Sequence, residues 1–404
     1  MKILIITPHF YPENFRINDL ANFLIEKSCD VSVLTSIPNY PTGKYFEGYG
    51  LFNKRYEVYK NIKIHRVIVF PRLSGKPVMI ALNYLSYILS SIIKIFNLRK
   101  NNYDIVFVFQ VSPITVALPA ILYKYFDKKP IVMWVLDLWP ESIKVGLNLK
   151  KNYYSIFLNP IIKFIYKKSD SILVSSKGFI NSIAKKNIDK GKLKYMPQWS
   201  ETIFHYIDSK KETFEFLNLN NFVILFAGNI GEAQDFENVV KSLEILKYKK
   251  NIKWVFVGNG RKKQWLAKKV REEKLENVFL LDSMPLSSMP KLYSFADCLF
   301  ISLKNDKDLN LTIPAKFQTY LSSGMPVLGM IGGQVNEIIQ ETKCGKVTNP
   351  GNFEELAKIC LEMSMMSKNN IYQMKKNSYE YYLNNFQRKK VLEKFYEHFL
   401  EKIN

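Results

Sequence analysis

Two stretches in the second half of the chain, Phe222–Gly231 and Lys253–Gly260, share one plan. An apolar run of strand length meets a Gly-Asn turn, and a helical pattern follows, over Asp235–Tyr248 in one case and Lys262–Lys274 in the other. A strand that feeds a helix through a glycine turn must return parallel, so this order dictates a layered α/β sheet. The chain opens in the same way. Lys2–Thr7 reads as a buried strand, broken at Pro8 and Pro12, followed by a helix over Ile17–Lys27 and a strand over Val31–Thr35. With 404 residues the chain exceeds one ordinary core, and two domains follow.

Further strands are expected at Ile62–Val69, Ile105–Phe109, Ile131–Val135, Ser171–Ser175 and Leu193–Met196, with helices over Ile114–Tyr125 and Tyr153–Lys167. This makes the first half one doubly wound domain. The second series continues through Val278–Leu281, Cys298–Ser302 and Val327–Ile331. The expected division is 1–203, 204–384 and a terminal helix within 385–404. A polar stretch near Asp208–Asn221 separates the halves, and the proline- and glycine-bearing loop Ser36–Gly50 is long enough to carry function.

Fifty-eight Lys and Arg against 36 Asp and Glu give a net charge of +22. Such a field draws a protein toward polyanions: nucleic acid, anionic lipid or phosphorylated substrates. The basic residues are mostly lysines spread along the chain, with clusters at Lys150-Lys151, Lys167-Lys168, Lys185-Lys186, Arg261–Lys263 and Lys375-Lys376. A solvated lysine-rich surface accounts for much of this. The four cysteines lack metal-ligand spacing and fit a reducing cytoplasm. Val78–Leu98 is 21 residues with Lys94 as its single charge. Its length suits a membrane span, but Asn83, the serines and Lys94 favour a buried or interface-lying helix begun by Pro77.

The run Ile313–Val327, IPAKFQTYLSSGMPV, places Lys316 after a Pro-Ala turn at a helix start. Helix N-termini attract anions, so a cation there makes an anion site. The run resembles the PSK-x-x-E-Y-x-x-x-G-x-P-V signature of nucleotide-sugar-dependent glycosyltransferases of family 4. AGNIGEAQDFENVV (Ala227–Val240), VGNGRKKQWL (Val257–Leu266) and GGQVNEIIQETKCGKVTNPGNFEEL (Gly332–Leu356) resemble the loops of one branch of that family, as do NYPTGKYFEGYG and DLWPES (Asp137–Ser142). That branch is similar to fucosamine-type transferases of bacterial O-antigen and capsule synthesis. The resemblance covers nearly the whole chain. It implies the GT-B fold: two Rossmann-like doubly wound domains facing a central cleft, with the acceptor on the first and the nucleotide sugar on the second.

The resemblance implies a retaining transfer of an N-acetylated sugar from a UDP donor to a polyprenyl-diphosphate-linked acceptor at the inner face of a bacterial membrane. Gly228, Asn229, Gly231, Gln234, Gly258, Gly260, Arg261 and Lys316 are the expected donor contacts, with Gln234 where many members have Lys. Thr319 stands where many members carry a ribose-binding glutamate; a hydroxyl can bond one ribose oxygen without carboxylate strength. Asp137 and Glu141 after an apolar strand, and Glu337 in the sugar-cradling segment, are the candidate catalytic residues; helix-start roles are the alternative for each. His9 and Glu13 lie in the first strand–helix loop, on the acceptor side. Glycosyl transfer from a diphosphate needs the leaving phosphate's charge stabilised, which Lys316 and helix starts can supply. No metal or other cofactor is expected, and Asp306-Lys307-Asp308 reads as a chance D-x-D.

Two other classes compete. A sugar-nucleotide epimerase has a similar two-domain fold. A basic nucleic-acid binder would need an aromatic-basic groove or a reading helix, and no such pattern is found, so no nucleic-acid partner is expected. The expected location is cytoplasmic, peripheral to the membrane.

Overall fold

The computed structural model describes residues 1–73, 76–142, 153–207 and 221–404. The Lys150-Lys151 cluster lies outside the described residues, as does the polar stretch from Asp208 to residue 220. The chain divides into two compact units: Met1–Met196 with Leu392–Asn404, and Pro197–Val391.

The first unit holds β1 (Lys2–Ile6), α1 (Arg16–Glu26), β2 (Asp30–Ser36), β3 (Tyr56–Tyr59), β4 (Ile62–Val67), α2 (Pro77–Leu98), β5 (Ile105–Gln110), α3 (Leu118–Asp127), β6 (Ile131–Val135), α4 (Tyr153–Lys168), β7 (Ser171–Val174), α5 (Lys177–Ala184) and β8 (Leu193–Tyr195). The sheet order is β3-β4-β2-β1-β5-β6-β7-β8. All neighbours are parallel except the edge strand β3, which runs antiparallel to β4. β1, β5 and β6 are buried apolar runs, as strands covered on both faces must be. Strand order reverses between β1 and β5, so the loops after these two strands part there and leave a crevice at their carboxyl ends.

The second unit holds β9 (Phe222–Ala227), α6 (Phe236–Ile245), β10 (Ile252–Val257), α7 (Lys263–Glu272), β11 (Val278–Leu281), α8 (Met289–Ser294), β12 (Cys298–Ser302), α9 (Ala315–Ser322), β13 (Val327–Met330), α10 (Gly333–Thr342), β14 (Gly345–Thr348), α11 (Phe353–Ser364) and α12 (Lys368–Asn385). Its parallel sheet runs β11-β10-β9-β12-β13-β14, with the reversal between β9 and β12. Two apolar layers sandwich it. Leu225, Val255, Leu299 and Phe317 belong to one; Phe226, Trp254, Phe300 and Leu356 belong to the other.

The last helix, α13 (Arg388–Ile403), returns to the first unit from Leu392 onward. Phe395 sits edge-on to Trp134 at 4.7 Å between ring centres, and Phe399 lies 5.0 Å from Phe107. His398, buried, meets Ser171 Oγ at 2.8 Å. Lys27 and Glu393 form an ion pair at its margin.

α2 is not a core helix. Its inward residues are Asn83, Tyr87, Ser91, Ile95 and Leu98. Val78, Leu82, Leu85, Leu89, Ile93 and Phe96 form an outward stripe, Ile93 being 70% exposed. The helix is long and apolar enough to cross a membrane by length and composition, yet polar Asn83 and Ser91 are among the side chains packed against the protein. α3 packs between α2 and α4, and Phe126 at the end of α3 extends the apolar stripe by contact with Phe96.

Candidate active-site clusters at the two sheet reversals

In the second unit the loops after β9 and β10 are zipped together. Gly228 N–H donates to Val257 O, Ile230 N–H to Asn259 O, and Lys262 N–H back to Ile230 O. A side chain on Gly258 would place its Cβ 1.9 Å from Gly228 O, at φ +149°, so only glycine permits this approach. These backbone bonds hold the two turns against each other. Gly228, Ile230 and Gly258 N–H all bond neighbouring carbonyls. Gly231 N–H bonds Gln234 Oε1 at 3.1 Å, so the Gln234 amide oxygen closes the GNIG turn. Arg261 is exposed, and no partner for it occurs among the described residues. Lys262 is neutralised by Glu237 and Glu232, and Lys263 by Asp282. Asn259, in the GNG turn, holds Ser283 and Lys263.

Lys316 is different. It leads the first turn of α9, and its Nζ stands 3.9 Å from the centre of the Phe226 ring. The same atom lies 3.0 Å from where a Cβ on Gly228 would be, so glycine leaves room for it. No carboxylate pairs with it among the described residues. Desolvation lowers its ammonium from the usual 10.5 to about 7. The residue is half-buried, and a desolvated ammonium with only a ring face as partner is a poor structural choice. It is the state expected of a cation that gains its counter-charge from a ligand.

Thr319, expected at the ribose, is turned into the core instead. It is 6% exposed, its Oγ1 donates to Lys316 O at 2.8 Å, and Tyr293 OH lies 3.4 Å away. A helical threonine whose hydroxyl hydrogen is taken by a carbonyl of the preceding turn keeps acceptor capacity alone. Thr319→Val should therefore leave UDP affinity within about twofold; a calorimetric titration checks this, and a loss comparable to a missing hydrogen bond would restore the ribose role. Glu337 is exposed on α10, with no partner among the described residues. Asp306 accepts from Asp308 N–H and Leu309 N–H, which is turn chemistry. No cluster of three or more His, Cys, Asp or Glu groups able to hold a metal occurs among the described residues.

In the first unit the strand-end loops meet around His9. Its Nδ1 is 2.9 Å from Glu13 Oε2, and both residues are buried. Glu13 Oε1 accepts from Asn39 N–H and Tyr40 N–H. A carboxylate already taking two N–H groups places the imidazole hydrogen on Nδ1, so Nε2 is the lone-pair side. The ring stacks on Phe15 at 4.8 Å and meets Tyr40 at a tilt. Arg72 Nη2 stands 3.5 Å from His9 Nε2, with its guanidinium against the Tyr40 and Tyr84 rings.

Asp137, after β6, accepts from Ser112 Oγ at 2.8 Å, and Ser112 also accepts from Trp139 Nε1. Burial raises the Asp137 carboxyl above its usual range, against the Ser112 hydrogen bond. Glu141 instead pairs with Lys186 at 2.9 Å. The two carboxylates thus take separate partners, and Asp137 has no cation against it among the described residues. It acts electrostatically on Tyr84, as Arg72 does. Sequence reasoning missed Arg72 and Tyr84; the only local signal was an arginine just past the strand Ile62–Val69, next to Pro71.

Each unit thus gathers its polar groups at the reversal of its own sheet. Among solved structures, sucrose-phosphate synthase from Thermosynechococcus elongatus aligns over 99% of this chain and 98% of its own, with a TM-score of 0.77 at 12% identity. Anabaena HepE in complex with UDP and glucose aligns over 99% and 100%, with a TM-score of 0.68 at 12% identity. WaaG, a glycosyltransferase involved in lipopolysaccharide biosynthesis, aligns over 98% of each chain, with a TM-score of 0.65 at 13% identity. Two curated relatives are similar in sequence. They are the probable glycosyltransferase WbjE of Pseudomonas aeruginosa, 24% identical over 57% of this chain, and the putative colanic acid biosynthesis glycosyl transferase WcaI of Escherichia coli K12, 27% identical over 38%. The matches span 59% and 39% of those relatives' lengths. Residues 208–381 match the family described as glycosyl transferases group 1. The fold is therefore GT-B, and the similarity to the glycosyl transferases group 1 family is confined to residues 208–381, less than half of the chain.

Proposed function

We propose that the protein is a retaining glycosyltransferase that moves an N-acetylated sugar from a UDP donor to a lipid-linked saccharide during synthesis of a bacterial surface polysaccharide, O-antigen or capsule. Its loops resemble those of the fucosamine-type branch. The observation that carries the reading is Lys316: a desolvated ammonium with no carboxylate partner among the described residues, at the β9/β12 reversal, beside a glycine that leaves room for it. A donor diphosphate supplies the charge it lacks, and the same ammonium stabilises the negative charge that grows on the leaving phosphate. The relatives named for polysaccharide synthesis, and HepE with UDP bound, support this reading. On the acceptor unit, the His9–Glu13 pair and Asp137 are placed to orient sugar hydroxyls. The enzyme works at the inner face of the membrane, held there by the stripe on α2.

The test is a thermal-shift panel of UDP-, GDP- and dTDP-sugars. A ligand at 100 times its Kd adds about 2.7 kcal/mol to stability, so the right nucleotide stands out. UDP-sugars should raise the midpoint most. Release of the epimer of the donor in place of transfer would establish the epimerase reading.

Turnover should persist in EDTA, because Lys316 serves the diphosphate where a metal otherwise would. Activity abolished by EDTA and restored by Mn²⁺ would overturn this and direct attention to Asp306 and Asp308.

A further inference from the structure

Two arginines of the first unit are neutralised, Arg66 by Glu57 and Arg99 by Asp127, and Arg55 is held by the Arg66 and Leu51 carbonyls. Arg72 has no carboxylate partner among the described residues. It is nevertheless held in place. Nε donates to Asn83 Oδ1 at 3.2 Å, and the guanidinium lies 5.4 Å from the Tyr84 ring and 6.0 Å from the Tyr40 ring. The segment that carries it is fastened to α2, since Phe70 N–H donates to Ser86 Oγ and Asn83 Nδ2 donates to Phe70 O. Elsewhere in the first unit, two buried acceptors have no donor among the described residues: Asn39 Oδ1, whose backbone N–H bonds Glu13, and Gln110 Oε1, at the end of β5. The outward apolar stripe of α2 begins at Val78, six residues beyond Arg72.

A planar guanidinium fixed by packing, with Nη groups not spent on a carboxylate, is suited to a phosphate or diphosphate group. The polar neighbour of Nη2, His9 Nε2 at 3.5 Å, is one that a phosphate oxygen would replace as its partner. The outward apolar stripe of α2, the helix to which this segment is fastened, suits a hydrocarbon chain attached to that phosphate.

We propose that Arg72, positioned by Asn83, Tyr84 and Tyr40, binds the diphosphate of an isoprenoid-linked acceptor, with the hydrocarbon leaving along α2. This rests on the reading of the chain as a transferase with a lipid-linked acceptor, and it names the group that recognises the lipid's phosphate. Arg72 is a binding residue; the sugar hydroxyls fall to the His9–Glu13 and Asp137 side.

The experiment titrates the full chain with farnesyl diphosphate, farnesol, inorganic diphosphate and UDP. Farnesyl diphosphate should bind saturably and more tightly than inorganic diphosphate, and farnesol more weakly. Arg72→Gln should lose roughly 10- to 100-fold in farnesyl diphosphate affinity while UDP affinity stays within twofold. Arg72→Lys, which keeps the charge and loses the fork, should fall between. Unchanged affinity in Arg72→Gln overturns the proposal. Equal binding of farnesol, or of inorganic diphosphate, by the wild-type protein overturns it independently of any variant's folding. Failure of UDP to bind sinks the transferase reading instead, so the two failures are distinguishable.

Discussion

Lys316→Met should weaken UDP binding by roughly 10- to 150-fold, the worth of one charge-assisted hydrogen bond in a desolvated site. It should also remove the pH dependence of that binding. In the free protein the ammonium titrates near 7. A diphosphate against Nζ favours the charged form, so the bound protein holds its proton to higher pH. Affinity is then full below about 7 and falls as pH rises, because binding must take up a proton. Calorimetry at pH 8 in buffers of different ionisation enthalpy should register this uptake in the wild type and none in the variant.

Stability of the unliganded protein runs the other way. The unfolded lysine titrates near 10.5 and the folded one near 7, so the unfolded state gains protons first as pH falls through that interval. Lys316 therefore costs stability at neutral pH, and the unliganded variant should melt no lower than the wild type. UDP affinity unchanged by the substitution would refute the assignment outright.

Anionic vesicles should sediment the protein, and neutral vesicles should not. Val78, Leu85, Leu89 and Ile93 lie more than half exposed along α2, flanked by Lys76 and Lys100, on a chain of net charge +22. Buried apolar surface contributes about 25 cal/mol per Å², and each basic residue near an anionic leaflet adds about 1 kcal/mol. Leu85→Glu combined with Leu89→Glu should abolish co-sedimentation at low salt, because both positions face outward and the fold does not depend on them. High salt should release much of the wild type. Retention through alkaline carbonate would show instead that α2 spans the bilayer, and equal binding to neutral vesicles would reject the electrostatic part.

The parallel strands were legible because each is an apolar run punctuated by Gly, Pro or Asn, a pattern that a strand covered on both faces imposes. β3 was not. It is a four-residue antiparallel edge strand with alternating exposure, reached from a long irregular loop. α12 escaped as well, since Ser378 is its only fully buried residue and little periodicity results. At the site, Lys316 stood out because its helix start and turn are local in sequence. Arg72 did not, because its neighbours come from positions 9, 40, 83 and 84, and no spacing rule connects them. Thr319 shows what spacing alone does not specify. Alignment fixes a position along the helix, while the side chain's own hydrogen bond to Lys316 O decides what it can reach.

The return of α13 to the first unit bears on how the protein is made. Phe395 and Phe399 cover Trp134 and Phe107, which belong to strands synthesised long before them. Between Met196 and Leu392 the ribosome must add the whole second unit. At about 5–20 residues per second that takes roughly 10–40 s. Throughout that interval the first sheet carries an uncovered aromatic face, while the second unit can close as soon as it emerges. The N-terminal half is thus the last to be completed, and a ribosome that stalls late releases a chain whose oldest residues are still open to aggregation.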